Sequence, residues 1–136
     1  MKKVFADTVY WIALYDPKDM LHQTAITLTK KLVNNTIVST DAVLTEVLTS
    51  FSSYGSETRK SISFNIKELL QQKYVIIYPS DRNLFLEGLN LFQSRLDKEY
   101  SQVDCISMVV MQKEKITEVL TSDHHFEQEG FSILLA

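Results

Sequence analysis

The sequence predicts an α/β fold in which a parallel sheet is covered by helices on both faces. Two observations predict it. Short apolar runs that suit buried strands recur at Lys3–Ala6, Thr36–Ser39, Tyr74–Tyr78, Glu118–Thr121 and Phe131–Leu135. Between them lie stretches with apolar residues at helical spacing, and parallel neighbours need helical crossovers of that kind. Ligands of such sheets bind at the carboxyl ends of the strands. The residues just after each strand are therefore the ones to weigh.

Taken in order, Lys3 to Ala6 is apolar after a charged start and stops at Asp7. Asp7-Thr8 opens a helical stretch in which Trp11, Ile12, Leu14 and Tyr15 are apolar, and Asp16-Pro17 ends it. From Met20 to Val33, the residues Leu21, Ala25, Leu28 and Leu32 recur at helical spacing. Thr36 to Ser39 is the second strand, set off by Asn34-Asn35. Thr40 or Asp41 can cap a helix running to about Ser53, with Leu44, Val47, Leu48 and Phe51 on one face and Gly55 closing it. A helix over Glu57 to Gln72 follows. Tyr74 to Tyr78 is the clearest strand and ends at Pro79. Helices are expected from about Asp81 to Asp97 and from Ser101 to Lys113, then the two short strands at Glu118–Thr121 and Phe131–Leu135.

The 136 residues suit one domain spanning 1–136, and with three glycines and two prolines long flexible linkers are not expected. The apolar run at the N-terminus is too short for a signal peptide, and no window approaches the roughly 18 apolar residues of a membrane span. A lone Cys105 cannot form an internal disulfide and is expected in the core. The expected location is the cytoplasm, away from any membrane.

Four acids stand out. Asp7 follows the first strand directly and Asp123 comes two residues after the fourth. Asp104 falls in the first turn of the helix beginning near Ser101, and Glu46 in the second turn of the helix after strand two. If the first and fourth strands are neighbours, Asp7 and Asp123 emerge at one edge. Carboxylates converging without a basic partner repel one another, and Mg2+ or Mn2+ relieves that repulsion because it prefers oxygen ligands. Such an ion can acidify a water, orient a phosphodiester and neutralise charge on its oxygens. Each acid also has a plain structural explanation. Asp7 and Asp123 can cap helices, Asp104 has capping-box spacing to Ser101, and Glu46 can be a solvated helix residue.

Net charge bears on the partner. The chain carries −3, from 14 basic and 17 acidic residues. Setting the four acids aside leaves 14 basic against 13 acidic residues. Nucleic acid is then not excluded, although weak nonspecific binding is expected rather than a basic stripe. Lys18, Arg59, Lys60, Lys67, Arg82, Arg95 and Lys98 are candidate phosphate contacts, none singled out. Trp11, Tyr10 and Phe51 are expected in the core or a dimer contact.

The same residues resemble the motif set of PIN domains. Val4-Phe5-Ala6-Asp7-Thr8-Val9-Tyr10-Trp11-Ile12-Ala13-Leu14 resembles the first motif, Thr45-Glu46-Val47 the second, Ser101-Gln102-Val103-Asp104-Cys105-Ile106-Ser107 the third, and Leu120-Thr121-Ser122-Asp123-His124-His125-Phe126 the fourth. The resemblance covers essentially the whole chain. It implies a PIN-like three-layer sandwich with a central parallel sheet of about five strands, and Mg2+- or Mn2+-dependent endoribonuclease activity. It further implies a VapC-type toxin, with a cognate antitoxin whose segment enters the acidic groove, and a homodimer. Asp7, Glu46 and Asp104 would then be core ligands, Asp123 would complete the site, and Thr8 and Ser107 would be supporting hydroxyls. A solitary PIN nuclease in RNA processing and a non-catalytic PIN-like binding module are the alternatives.

Two other readings are weaker. A zinc site at His124 and His125 is disfavoured because adjacent histidines point differently and His22 is distant in sequence. A signalling receiver domain would need paired acids after the first strand and a Lys after the fifth, and neither is present in the sequence.

Overall fold

The computed structural model describes residues 2–135, so Met1 and Ala136 of the expected domain span lie outside the described residues. β1 (Lys3–Ala6) leads into α1 (Thr8–Tyr15) and α2 (His22–Lys31). β2 (Thr36–Thr40), α3 (Asp41–Phe51) and α4 (Ser56–Leu69) follow, then β3 (Val75–Tyr78), α5 (Arg82–Ser94) and α6 (Gln102–Glu114). β4 (Glu118–Leu120), α7 (His125–Gln128) and β5 (Ser132–Ile133) complete the chain.

The five strands form one sheet in the order β3-β2-β1-β4-β5, and every pairing is parallel. This is the PIN-like sandwich expected from the sequence. β1 is central, with Phe5 paired to Val38 on one side and Val119 on the other. Val4, Phe5 and Ala6 are wholly buried. Helices cover both faces there, which is why the strand is continuously apolar instead of alternating.

Strand order decides where a ligand can sit. The chain steps outward from β1 to β2 and β3, then returns across β1 to lay down β4 and β5. The order reverses between β1 and β4, and open parallel sheets bind ligands in the crevice outside the strand ends at that point. The receiver alternative has the order 2-1-3-4-5. It is excluded.

α6 is the most deeply buried helix of the described residues. Every residue from Cys105 to Met111 is buried, and the helix packs against α5, α3 and β1. α5 can lie close to it because position 88 is glycine. A Cβ there would come 2.6 Å from Ile106 Cγ1. Trp11, Tyr10, Phe51 and Cys105 all belong to the core. Among the described residues, no helix is long and apolar enough to cross a membrane.

The structure differs from expectation at three places. Gly55 does not close α3, which ends earlier, at Phe51. It stands instead at the N-cap of α4 with φ +98°, a left-handed conformation that glycine adopts without steric cost. β5 keeps only Ser132 and Ile133 of the five residues expected. α7 was not foreseen, because four residues are too few to display a helical period.

Candidate active site

Each acid is brought to the crevice by a local reason in the sequence. Asp7 follows the last residue of β1, and its amide continues the β1–β4 pairing by donating to the Leu120 carbonyl at 3.3 Å. It occupies the N-cap position of α1, yet its side chain makes no capping bond. Instead, Asp7 Oδ2 accepts from the Thr121 hydroxyl at 2.9 Å. The same hydroxyl oxygen accepts from the Asp123 amide at 3.1 Å. One threonine thus ties the acid after β1 to the acid after β4.

Asp7 is only 4% exposed. Burial pushes its carboxyl up to about 7, against a pull downward from the Thr8 amide and the Thr121 hydroxyl. The charges of Asp104 and Asp123 push it further in the same direction. Three acids from three separate elements therefore lie close enough to repel. Among the described residues, Asp7, Glu46, Asp104 and Asp123 form no ion pair with Lys or Arg.

Asp104 has the capping-box role that its spacing allowed. Its amide donates to Ser101 Oγ at 2.9 Å, and its Oδ2 accepts from the Ser101 amide at 3.0 Å. The cap does not exclude the site, because a carboxylate oxygen has two lone pairs and the capping Oδ2 also faces His125 Nδ1 at 3.3 Å. Asp123 also has a local role, with Oδ1 accepting from the His125 amide at 2.9 Å to start α7.

His125 was missed as a member of this group. Its Nδ1 lies 3.3 Å from Asp104 Oδ2 and 3.4 Å from Asp123 Oδ1. Asp104, Asp123 and His125 each offer a ligand atom within 4.8 Å of the others. His124 turns away, with its Nδ1 2.5 Å from Glu127 Oε1, so the adjacent histidines do not act as a pair. Thr121 was also missed. The sequence signal for it was its place just after the apolar strand and two residues before Asp123.

Glu46 stands apart from the other acids. It is half-buried on α3 and accepts from the Thr8 hydroxyl at 2.6 Å, so it joins the crevice through the residue next to Asp7. Glu46 and Thr8 border a groove of about 610 Å³ whose walls include Ile12, Leu84, Phe85 and Val103. Asp7, Asp104 and Asp123 do not line it. Ser107, one turn after Asp104, is wholly buried, and its hydroxyl has no hydrogen-bond partner among the described residues. Of the candidate phosphate contacts, Arg95 is already engaged, holding Glu129 through Nε at 3.0 Å and Nη2 at 2.7 Å.

The donor set fits a divalent cation. Carboxylate oxygens are the ligands that Mg2+ and Mn2+ prefer, and an acid whose pKa is raised by burial, and further by its acidic neighbours, is one that a cation would ionise.

Fold and site together define a class of structure, a PIN-like parallel sandwich with an acidic crevice where its strand order reverses. The same fold is found in a solved structure, Mycobacterium tuberculosis VapC20, described as a sarcin-ricin loop cleaving toxin. The match has a TM-score of 0.78 and 24% sequence identity, and covers 94% of this chain and 95% of that one. At that identity the likeness is one of fold. No protein-family model and no curated protein matches the chain.

Proposed function

We propose that the protein is a metal-dependent endoribonuclease that hydrolyses RNA phosphodiester bonds at Asp7, Glu46, Asp104 and Asp123, and that it is the toxin of a VapBC-type pair. One observation carries this reading. Asp7, Asp104 and Asp123 approach one another at the β1–β4 switch point, and among the described residues no Lys or Arg balances them. The motif resemblance and the fold shared with VapC20 support the same conclusion.

In this reading Mg2+ or Mn2+ is held by Asp7, Asp104 and Asp123, with Glu46 serving the same crevice from α3. When bound, the ion supplies charge neutralisation at the phosphate and acidifies a water. The remaining work belongs to the chain. Thr121 fixes the rotamer of Asp7, Thr8 aims Glu46, and the Ser101 cap holds Asp104 at the start of a buried helix. Ser107 is a second supporting hydroxyl.

The partners proposed are an RNA substrate and a cognate antitoxin, whose segment would lie along the groove beside Glu46. A homodimer in the cytoplasm completes the proposal. Phe85, Leu86, Leu89 and Phe92 leave an apolar strip exposed along α5 that suits a second copy.

The test is cleavage of structured RNA, a sarcin-ricin loop hairpin first, by purified protein with Mg2+ or Mn2+. Cleavage is expected to stop with EDTA and to be lost in Asp7→Asn. Activity undiminished by both treatments would overturn the assignment.

A further inference from the structure

We propose that His125 is a nitrogen ligand of the cation in this crevice, so that the site binds Mn2+ in preference to Mg2+. The proposal rests on the metal-dependent reading above and concerns a residue outside the acidic set.

The hydrogen bond that His125 makes is long, and the same spacing fits a ligand. His125 Nδ1 lies 3.3 Å from Asp104 Oδ2 and 3.4 Å from Asp123 Oδ1. A charge-assisted N–H···O bond is shorter, about 2.7–2.9 Å. Neighbouring ligand atoms around an ion held at about 2.1 Å sit roughly 3 Å apart, which is nearer to what is found. Both oxygens also have closer donors already, the Ser101 amide at 3.0 Å and the His125 amide at 2.9 Å. The imidazole is not required to satisfy them.

The ring is held in position from behind. Tyr100 is buried and stands 5.5 Å from the imidazole, ring centre to ring centre. Its hydroxyl donates to Glu129 Oε1 at 3.0 Å, and Arg95 grips both oxygens of Glu129. α7 is thereby tied to the end of α5 while its first residue, His125, faces the acids. Mg2+ is confined largely to oxygen ligands, whereas an imidazole nitrogen adds affinity for transition metals.

Metal-free wild type and His125→Gln are titrated calorimetrically with Mn2+ and separately with Mg2+. Wild type is expected to favour Mn2+. In His125→Gln the Mn2+ affinity is expected to fall about tenfold, with Mg2+ affinity changing by less than about threefold. Pulsed EPR of the Mn2+ complex should show coupling to one imidazole nitrogen, lost in the variant. An equal loss for both ions, or no loss for either, overturns the proposal while leaving the acidic site standing. Failure of wild type to bind either ion overturns both. If His125→Gln melts well below wild type without metal, His125→Asn takes its place.

Discussion

The hydroxyl of Thr121 is bonded to the carboxylate of Asp7 at 2.9 Å, joining residues 114 positions apart across the boundary between β4 and β1. Both groups are buried. Thr121→Val keeps the volume and removes the donor, so Asp7 loses the hydroxyl bonded to its side chain and the Asp123 amide loses its acceptor. The variant is expected to lose about 1–2 kcal/mol in urea denaturation and roughly tenfold in RNA cleavage. Wild-type cleavage by the variant would show that Thr121 does not orient Asp7.

The raised carboxyl of Asp7 sets a pH dependence. Its folded value of about 7 lies above its ordinary 3.8. The metal-free fold therefore favours protonated Asp7, with this contribution complete below 3.8 and lost as pH rises toward 7. Asp7→Asn abolishes the loss. Metal-free wild type should weaken relative to Asp7→Asn by roughly 4 kcal/mol between pH 3.5 and pH 8. Parallel stability curves for the two proteins would contradict this.

Mn2+ or Mg2+ must drive the proton off Asp7 if that carboxylate becomes a ligand. The rise in wild-type melting temperature with saturating metal is accordingly expected to be larger at pH 8 than at pH 5. Differential scanning calorimetry at the two pH values decides it. An equal rise at both, or the larger rise at pH 5, removes Asp7 from the ligand set.

Asp104 has two separable roles. Asp104→Asn keeps an oxygen that can accept from the Ser101 amide, so the helix cap survives while the charge is lost. Asp104→Ala removes both. Cleavage should fall by at least about 100-fold in each, beyond what a supporting residue costs. Only the alanine variant should also lose about 1 kcal/mol of stability. If Asp104→Asn cleaves RNA normally, the residue is a cap and nothing more.

Gly88 marks a close approach of α5 to α6. A valine there meets Ile106 Cγ1 and the Ile106 amide, neither of which is the free end of a flexible side chain. Gly88→Val should cost about 1–3 kcal/mol by overpacking. Thermal unfolding measures it, and an unchanged midpoint would mean the two helices separate without penalty.

All five strands were legible in the sequence, β1 because a strand buried on both faces is apolar throughout, the others as short apolar runs set between helical stretches. The long helices showed through the spacing of residues such as Leu21, Ala25 and Leu28. Asp7 could be found because an apolar strand ends abruptly in an acid. His125 could not. It sits in a helix of four residues, next to a second histidine, and nothing in the local pattern says which ring faces inward.

By itself the sequence determined the element types, the parallel sheet and the acids that follow the strands, since each of these depends on side chains near in the chain. Only the tertiary structure decided that β1 and β4 are neighbours, that Thr121 holds Asp7, and that Glu46 reaches the crevice through Thr8 and not directly. Those facts depend on which surfaces bury one another, a long-range choice that local periodicity does not encode.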